Sequence, residues 1–321
     1  HYILLVFCNS IFHNNIYRCS YANRFRSKNF IVYPDMHCYL FCLCNLLNSK
    51  TMKTIVIAGG SGFLGQVLEK FLSKKYYTIK ILTRYPKKEN DIYWNAKDLG
   101  IWTNELENVN ALINLTGKSV DCRYTEKNKK AIYDSRIDST HILGLAINLC
   151  EKPPKIWINS STATIYKDSY HKEMDEENGE VGNDFSMNIA KSWEQAFYSI
   201  INPKTRKIAI RTSIVLGKEG GALVFVRALS FIIDNENLSG NINLSVPKPT
   251  NNKTLMKILR KILNIPFGLN QPIWLLKIGA RLIGTETELV LKSRNVIPKK
   301  LINNGFLFKF SNLEVALKDL V

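Results

Sequence analysis

The stretch Met52–Gly65, MKTIVIAGGSGFLG, decides the fold of this chain. Thr54–Ala58 is a short apolar run rich in β-branched residues, and an amphipathic helical pattern follows the glycines. Gly59, Gly62 and Gly65 therefore form a GxxGxxG turn between a predicted strand and a predicted helix. This context is typical of a dinucleotide-binding turn, and the alternative is a purely structural glycine-rich turn.

Each glycine of this turn has a physical task. The first permits the tight turn, the second lets the backbone approach a pyrophosphate, and the third lets helix and strand pack closely. The helix N-terminus offers unpaired N–H groups and the positive end of its dipole to phosphates. The predicted cofactor-binding residues here are Gly59, Ser61, Gly62, Phe63, Leu64 and Gly65.

The choice of dinucleotide is predicted from the end of the second strand, Thr78–Leu82. An NAD site usually places Asp or Glu there to bind the ribose 2′-hydroxyl. This chain has Thr83 and Arg84 instead. A guanidinium can bind a 2′-phosphate through charge-assisted hydrogen bonds that each contribute about 1.5–3 kcal/mol. The residues predict NADP(H), and the alternative is that Arg84 is a solvated surface residue.

Strand and helix patterns alternate along the rest of the chain. Further strands are predicted at Ala111–Leu115, Lys155–Ser160 and Lys207–Arg211, helices at about Thr125–Cys150 and Phe185–Ile200, and a polar loop over a cleft at Lys172–Asp184. Such alternation predicts an α/β chain with a doubly wound parallel sheet, the Rossmann fold.

Length and charge limit which classes of protein this chain can belong to. The 321 residues, 45% of them hydrophobic, suffice for one large domain or a domain with a small appendage. No stretch reaches the roughly 18 apolar residues of a membrane helix. The net charge is +17, but the basic residues form no stripe with interleaved aromatic residues. The cysteines do not have the spacing of a zinc site. We predict a small-molecule substrate, no metal, and neither nucleic acid nor membrane as partner; the oligomeric state stays open.

Residues 1–51 differ in kind from the rest. They hold five of the seven cysteines, and an apolar run, Tyr2–Phe12, precedes a basic segment with no acidic residue before Asp35. This order is similar to an organelle-targeting leader, plastid-like or mitochondrial. The alternative is that Met52 is the true start and the preceding residues are not translated, which favours the cytoplasm.

Several motifs in order carry a family resemblance. They are GGSGFLG at 59–65, NLTG at 114–117, YTEKNKKAIYDSR at 124–136, SSTATIY at 160–166, KSWE at 191–194 and RTSIVLG at 211–217. With them, the chain from Met52 onward resembles the extended short-chain dehydrogenase/reductase superfamily. It is most similar to an atypical branch named for sugar-nucleotide epimerases and for a cell-division inhibitor.

The resemblance implies a division of the chain and further cofactor contacts. Residues 52–245 correspond to an NAD(P)-binding Rossmann domain, and 246–321 to a small helical or mixed C-terminal domain of unknown function on the substrate side. Leu115, Thr116 and Gly117 then line the cofactor. Arg136 either reaches the cofactor phosphates or is an exposed helix charge.

The catalytic pattern of the superfamily is incomplete in this chain. Extended members use a Ser or Thr after a strand and a Tyr-x-x-x-Lys on the next helix, whose Tyr transfers a proton. Thr162 and Lys191 match two positions, but Met187 stands where the Tyr is expected. Tyr166 is either a substitute proton donor or a residue that lines the pocket. Lys191 is either a ribose contact or a solvated helix charge.

A family segment that closes the substrate side of the cleft is also missing, near 222–240. Two functional hypotheses remain. The first is an NADP-dependent oxidoreductase or epimerase with a small polar or nucleotide-linked substrate. The second is a non-catalytic, NADP(H)-responsive regulatory or assembly protein.

Overall fold

The computed structural model describes residues 53–75, 77–213, 218–268, 272–284, 286, 291–310 and 313–318. The predicted leader, 1–51, and the alternative start, Met52, lie outside this part of the chain. Among the described helices, none has the length and apolar character needed to cross a membrane.

Seven strands of the described residues pair into one sheet. They are β1 Lys53–Ala58, β2 Tyr77–Thr83, β3 Asp91–Tyr93, β4 Ala111–Asn114, β5 Ile156–Thr162, β6 Arg206–Thr212 and β7 Gly240–Leu244. Their spatial order is β3-β2-β1-β4-β5-β6-β7, and every neighbouring pair is parallel. The strand order reverses between β1 and β4, as in a doubly wound sheet. The predicted Rossmann fold is therefore confirmed.

Helices connect the strands and follow the last one. The described helices are α1 Phe63–Leu72, α2 Glu126–Leu149, α3 Phe185–Ser199, α4 Lys218–Asp234, α5 Asn252–Ile262, α6 Ile273–Ile283, α7 Lys299–Asn303 and α8 Leu313–Lys318. The first three lie where the sequence pattern predicts them. The pattern did not predict α4, α5, β3 or β7. The division at residue 245 stays a prediction.

Capping side chains fix where two of these helices begin. The Thr125 hydroxyl accepts a hydrogen bond from the backbone N–H of Asn128 at 3.2 Å. The Asn251 side chain accepts one from the N–H of Thr254 at 2.9 Å. Each bond satisfies one of the N–H groups that a helix start leaves unpaired.

The sheet buries two apolar layers, one on each face. In β1, Ile55 and Ile57 point to one face and Val56 and Ala58 to the other, because side chains alternate along a strand. Helices α1 and α4 cover the first face and helices α2 and α3 the second. Each fully buried aliphatic side chain contributes about 1.5–3 kcal/mol to folding. This two-sided cover explains why the strands are almost continuously apolar.

A buried ion pair lies between the sheet and α3. Arg211 at the end of β6 and Glu194 of α3 are 6% and 7% exposed. Arg211 Nε and Nη2 donate to the two Glu194 carboxylate oxygens at 2.8 and 2.7 Å, and Ser161 Oγ donates to the same carboxylate at 2.7 Å. Although burial lowers it, the bonds to Glu194 hold the pKa of Arg211 above its usual value.

The same network reaches the C-terminal part of the chain. Arg211 Nη1 donates to the Tyr166 hydroxyl at 2.8 Å. That hydroxyl lies 2.8 Å from Asn243 Oδ1. Asn243 Nδ2 in turn donates to the carbonyl of Ile297 at 3.0 Å, and Ser245 Oγ donates to the carbonyl of Val296 at 2.8 Å. One chain of polar contacts therefore joins β5, β6 and β7 to the segment before α7.

Replacing Glu194 by Gln is expected to lower the free energy of unfolding by about 3–5 kcal/mol, because it leaves the Arg211 charge buried without a counter-charge. Urea unfolding at neutral pH measures the change. Asp134→Asn is the matched control, since it removes a carboxylate from the surface pair with Lys130 and should have no measurable effect. Equal stability of the two variants would contradict the structural role of the pair.

Candidate functional site

The glycine-rich turn lies at the carboxyl end of β1. Gly59 has φ +73°, a left-handed conformation that favours glycine. Its N–H donates to the carbonyl of Leu82 at 3.0 Å. A Cβ on Gly59 would lie 2.9 Å from Thr116 Oγ1 and 3.0 Å from Thr116 Cα. The turn thus brings the ends of β1, β2 and β4 together, and no larger residue fits at position 59.

The other two glycines of the motif have different surroundings. A Cβ on Gly65 would lie 2.2 Å from the carbonyl oxygen of Gly60, so α1 packs directly against the turn. Gly62 is the N-cap of α1 and provides no side-chain cap. A Cβ there would meet only Gly59 O, at 3.9 Å. The α1 N-terminus is therefore open where a phosphate would approach, which fits the predicted roles of these glycines.

The residues between the glycines differ in exposure. Phe63 is 53% exposed, and Leu64 packs against the core. The Ser61 carbonyl accepts a hydrogen bond from Gln66 Nε2 at 2.9 Å. Ser61 lies in the turn, and Phe63 and Leu64 are the first residues of α1. The contact of these three residues with a cofactor stays a prediction.

The NLTG motif lies beside the turn, at the end of β4. The Leu115 N–H donates to the carbonyl of Ala58 at 2.9 Å, and Asn114 Oδ1 accepts from the N–H of Thr116 at 3.0 Å. Thr116 Oγ1 is buried and has no hydrogen-bond partner among the described residues. A buried hydroxyl without a partner costs about 1–3 kcal/mol. This hydroxyl lies against the Gly59 turn.

Thr83 ends β2 and Arg84 follows it, on the other side of the turn. Thr83 is 4% exposed, and its hydroxyl accepts from the N–H of Tyr85 at 3.3 Å. Arg84 is exposed, and its guanidinium lies 5.8 Å from the centre of the Tyr85 ring. The register Ala58↔Leu82 places both residues next to Gly59.

Arg136 of α2 lies against the NLTG motif. Its Nη1 donates to the carbonyls of Lys118 at 3.1 Å and Ile132 at 2.9 Å. A Cβ on Gly117 would lie 3.2 Å from its Cζ, and the guanidinium carbon lies 5.1 Å from the Trp193 ring centre. Burial lowers the Arg136 pKa to about 10, so the group stays cationic at neutral pH. It is a partly buried cation at the site rather than a free surface charge.

The three catalytic candidates lie in separate surroundings. Thr162 ends β5, where its hydroxyl donates to Thr164 Oγ1 at 2.9 Å and accepts from the N–H of Thr164 at 3.1 Å. Lys191 of α3 donates to Asn183 Oδ1 at 2.7 Å. Tyr166 is fully buried in the network described above. Burial raises the Tyr166 pKa, and the neighbouring Arg211 opposes that rise.

The positions of Tyr166 and Met187 bear on the two functional hypotheses. Tyr166 contacts Arg211, Asn243 and the carbonyl of Asp175, which favours a structural role over proton transfer; its catalytic role stays a prediction. Met187 is 2% exposed, and a Cβ on Gly182 would lie 2.1 Å from its sulfur. The structure thus places no proton donor at the position of the superfamily tyrosine.

Two features of this region were not found by sequence reasoning. Glu194 and Arg211 fall within motifs that carry the resemblance, KSWE and RTSIVLG, but their pairing depends on the fold. Thr212 lies opposite Thr162 in the β5–β6 register, and its hydroxyl is buried without a partner among the described residues. A second unsatisfied hydroxyl therefore lies at the carboxyl edge of the sheet.

Known proteins match this chain along most of its length. The family described as "NAD dependent epimerase/dehydratase family" matches residues 55–191, and "Domain of unknown function (DUF1731)" matches residues 271–320. Epimerase family protein SAB0724c of Staphylococcus aureus is 30% identical over 303 residues, covering 84% of this chain and 99% of that protein.

Solved structures agree on the fold. The human epimerase family protein SDR39U1, crystallised with NADPH, has a TM-score of 0.73 at 22% identity and covers 83% of this chain and 98% of that one. MoeE5, crystallised with UDP-glucuronic acid and NAD, has a TM-score of 0.63 at 13% identity and covers 82% and 96%.

The alignment with the Staphylococcus protein bears on the missing segment. It spans 303 positions but uses 84% of the 321 residues, about 270, so about 33 positions have no counterpart here. In the structure α4 runs as one helix from Lys218 to Asp234, and β7 starts at Gly240. Both observations accord with a segment lost near 222–240, and its location stays a prediction.

Gly65→Ala is expected to weaken NADPH binding and to lower the melting temperature. The added methyl group would overlap the Gly60 carbonyl, and overpacking of this kind costs about 1–3 kcal/mol. Gly279→Ala is the matched control, because Gly279 lies in helix α6 with nothing within 4 Å of its Cβ position. NADPH titration and thermal unfolding test both variants. Equal behaviour would contradict the tight contact between α1 and the turn.

Proposed function

Because this chain belongs to the NAD dependent epimerase/dehydratase family, we propose that it binds NADP(H) and acts as an oxidoreductase or epimerase on a small polar or nucleotide-linked substrate. The observation that carries the proposal is the glycine turn at the carboxyl end of β1, where the N-terminus of α1 has no side-chain cap and a Cβ on Gly62 would meet only Gly59 O, at 3.9 Å. A dinucleotide phosphate would accept hydrogen bonds from the backbone N–H groups there.

Different residues of the site would bind different parts of the cofactor. The pyrophosphate would lie at the uncapped N-terminus of α1, where backbone N–H groups and the helix dipole favour negative charge. Gly62 leaves the space for it. Arg136 is a partly buried cation, and its proximity to Gly117 places it beside the NLTG motif. Its guanidinium would balance part of the phosphate charge.

The preference for NADP(H) rests on Arg84. The family comparisons alone leave the choice open, since one neighbour holds NADPH and another holds NAD. In this chain the position after β2 carries no carboxylate to repel a 2′-phosphate. Arg84 is exposed at the end of the strand that adjoins the glycine turn, and it is the group proposed to bind that phosphate.

Side chains at the carboxyl ends of β5 and β6 would act on the substrate. A bound reduced nicotinamide supplies a hydride. Thr162 and Thr212 offer hydroxyl groups at adjoining positions of this edge, which would orient a substrate oxygen. Lys191 has a carboxamide partner, Asn183, and would bind the nicotinamide ribose by displacing that contact.

A second candidate function is NADP(H) binding without turnover. Met187 cannot transfer a proton, and Tyr166 is committed to buried partners. The chain would then respond to the cofactor as a regulatory or assembly protein. The two candidates share the dinucleotide site and differ in whether Thr162, Tyr166 or Lys191 takes part in a reaction.

NADPH is expected to bind at least about tenfold tighter than NADH at moderate salt, because Arg84 adds a charge-assisted bond to the 2′-phosphate. Arg84→Ala should remove most of this difference, and Lys87→Ala, at an exposed lysine of the same loop, should leave it unchanged. Isothermal titration with both cofactors makes the comparison. Equal affinities in the unaltered protein would contradict the proposed specificity.

NADPH oxidation with carbonyl compounds and nucleotide sugars is expected to be slow. A positioned proton donor contributes about 10²–10⁴-fold, and Met187 provides none. Stopped-flow or steady-state loss of NADPH absorbance measures the rate in the unaltered chain, in Thr162→Ala and in Tyr166→Phe.

The variants separate the two candidate functions. A robust activity that Thr162→Ala abolishes, with NADPH affinity unchanged, supports the enzyme. Undetectable turnover in all three proteins despite tight NADPH binding supports the binding protein. Because Tyr166→Phe also disturbs the buried network, its thermal stability is measured in parallel.

A further inference from the structure

Helix α6 is apolar around most of its circumference and yet lies almost entirely at the surface. Among its residues only Ala280 is buried. Ile273, Trp274, Leu282 and Ile283 are 58%, 62%, 82% and 78% exposed. Large contiguous apolar surfaces on soluble proteins mark interaction sites. A helix with this composition is expected to be covered when the protein is in its working environment.

Helix α5 and the loop after it carry further exposed apolar residues. The helix separates apolar residues on one side from four basic residues on the other, and none of its side chains is buried. Met256 is 41% exposed. In the loop that follows, Leu263 is 50% and Phe267 77% exposed. We name the described residues of 252–283 the basic apolar face.

The charge of this region has one sign. Between residues 237 and 285 the sequence has seven basic residues and no acidic one. The basic residues are Lys248, Lys253, Lys257, Arg260, Lys261, Lys277 and Arg281. Lys261 pairs with Glu314 of α8, whereas Lys253, Lys257 and Lys277 are exposed.

Exposed apolar side chains and positive charge within one segment of the chain, 252–283, restrict the occupant. A second copy of this chain would bring an equal positive charge against the same face, and such contacts repel. The surface of an anionic bilayer satisfies both features, because aromatic and aliphatic side chains enter the acyl boundary while Lys and Arg contact the headgroups. Trp274 and the basic residues Lys277 and Arg281 of α6 are residue types found in helices at the membrane interface.

We propose that the basic apolar face binds the surface of a membrane that contains anionic phospholipids. No membrane partner is predicted from the sequence, because no stretch is long enough to span a bilayer. Interfacial binding needs no spanning helix, since the helices lie in the plane of the membrane surface. The glycine turn and the basic apolar face lie in different segments of the chain, so membrane binding would not require the cofactor.

Tryptophan fluorescence tests the proposal directly. The chain has five tryptophans. Trp274 is 62% exposed, whereas Trp94, Trp102, Trp157 and Trp193 are at most 5% exposed. Vesicles of phosphatidylglycerol and phosphatidylcholine should shift the emission to shorter wavelength and sediment the protein, and vesicles of phosphatidylcholine alone should do neither. Trp274→Phe should keep sedimentation and lose the spectral shift.

Charge reversal identifies the residues responsible. Lys253→Glu, Lys257→Glu and Lys277→Glu together should weaken binding at least about 100-fold, because each basic residue near an anionic surface strengthens binding about fivefold. The control combines Lys87→Glu, Lys127→Glu and Lys204→Glu, three exposed lysines of the Rossmann part with the same change in net charge. It should retain most of the binding.

An apolar pair of variants completes the design. Leu282→Asp should reduce vesicle binding, and Ile101→Asp, at a position 87% exposed elsewhere, should not. NADPH titration of every variant verifies that the Rossmann part is folded. The proposal is overturned if anionic vesicles neither shift nor sediment the protein, or if both charge triples weaken binding equally. It is also overturned if Leu282→Asp instead dissociates a dimer in sedimentation velocity.

Discussion

A charge removed from water must have a counter-charge at a fixed distance, and the pair formed by Glu194 and Arg211 imposes that constraint on this chain. Arg211 ends a central strand and Glu194 lies on the helix packed against it. Both partners must be placed within a few tenths of an ångström for the bidentate contact to form. The fold therefore positions β6 and α3 relative to each other more strictly than apolar packing alone would require.

The same pair fixes the positions of its neighbours, because each group in the network is the hydrogen-bond partner of the next. Tyr166 accepts from Arg211, and Asn243 links Tyr166 to the backbone before α7. The cofactor site uses the opposite principle. There the N-terminus of α1 has no side-chain cap, and backbone N–H groups at a helix start can bind a phosphate. The scaffold thus depends on polar groups that bind each other, and the site on groups that can bind a ligand.

The local parts of this design could be predicted from the sequence. The glycine turn depends on residues within a few positions of each other, so GGSGFLG predicted both its geometry and the helix behind it. Strands buried on both faces also read as apolar runs. β7 escaped prediction because GNINL carries two asparagines, and its burial depends on β6 and on a segment more than 50 residues later. The pairing of Glu194 with Arg211 is likewise a contact across the fold, which neither residue's local pattern reveals.

Tyr166 illustrates why the site was only partly predictable. Its motif places it four residues after Thr162, which suggested a position in a pocket, but that spacing carries no information on what covers it. The cover comes from loop 174–180, from β7 and from the segment before α7. Whether Tyr166 is a proton donor or a scaffold residue depends on its burial by distant segments. The sequence around Tyr166 contains none of those segments.

The partners of Asn243 also impose an order on folding during synthesis. The backbone carbonyl of Ile297 belongs to the last tenth of the chain, so it leaves the ribosome after the sheet and its helices have been made. Until then the Asn243 side chain has only its earlier partners, Tyr166 and Met174, and helix α7, which packs against β7, is absent. A nascent or prematurely terminated chain would lack these contacts at the β7 edge of the sheet, and incomplete parallel sheets are prone to aggregate. The C-terminal segment thus acts as a completion step that a truncated product cannot perform.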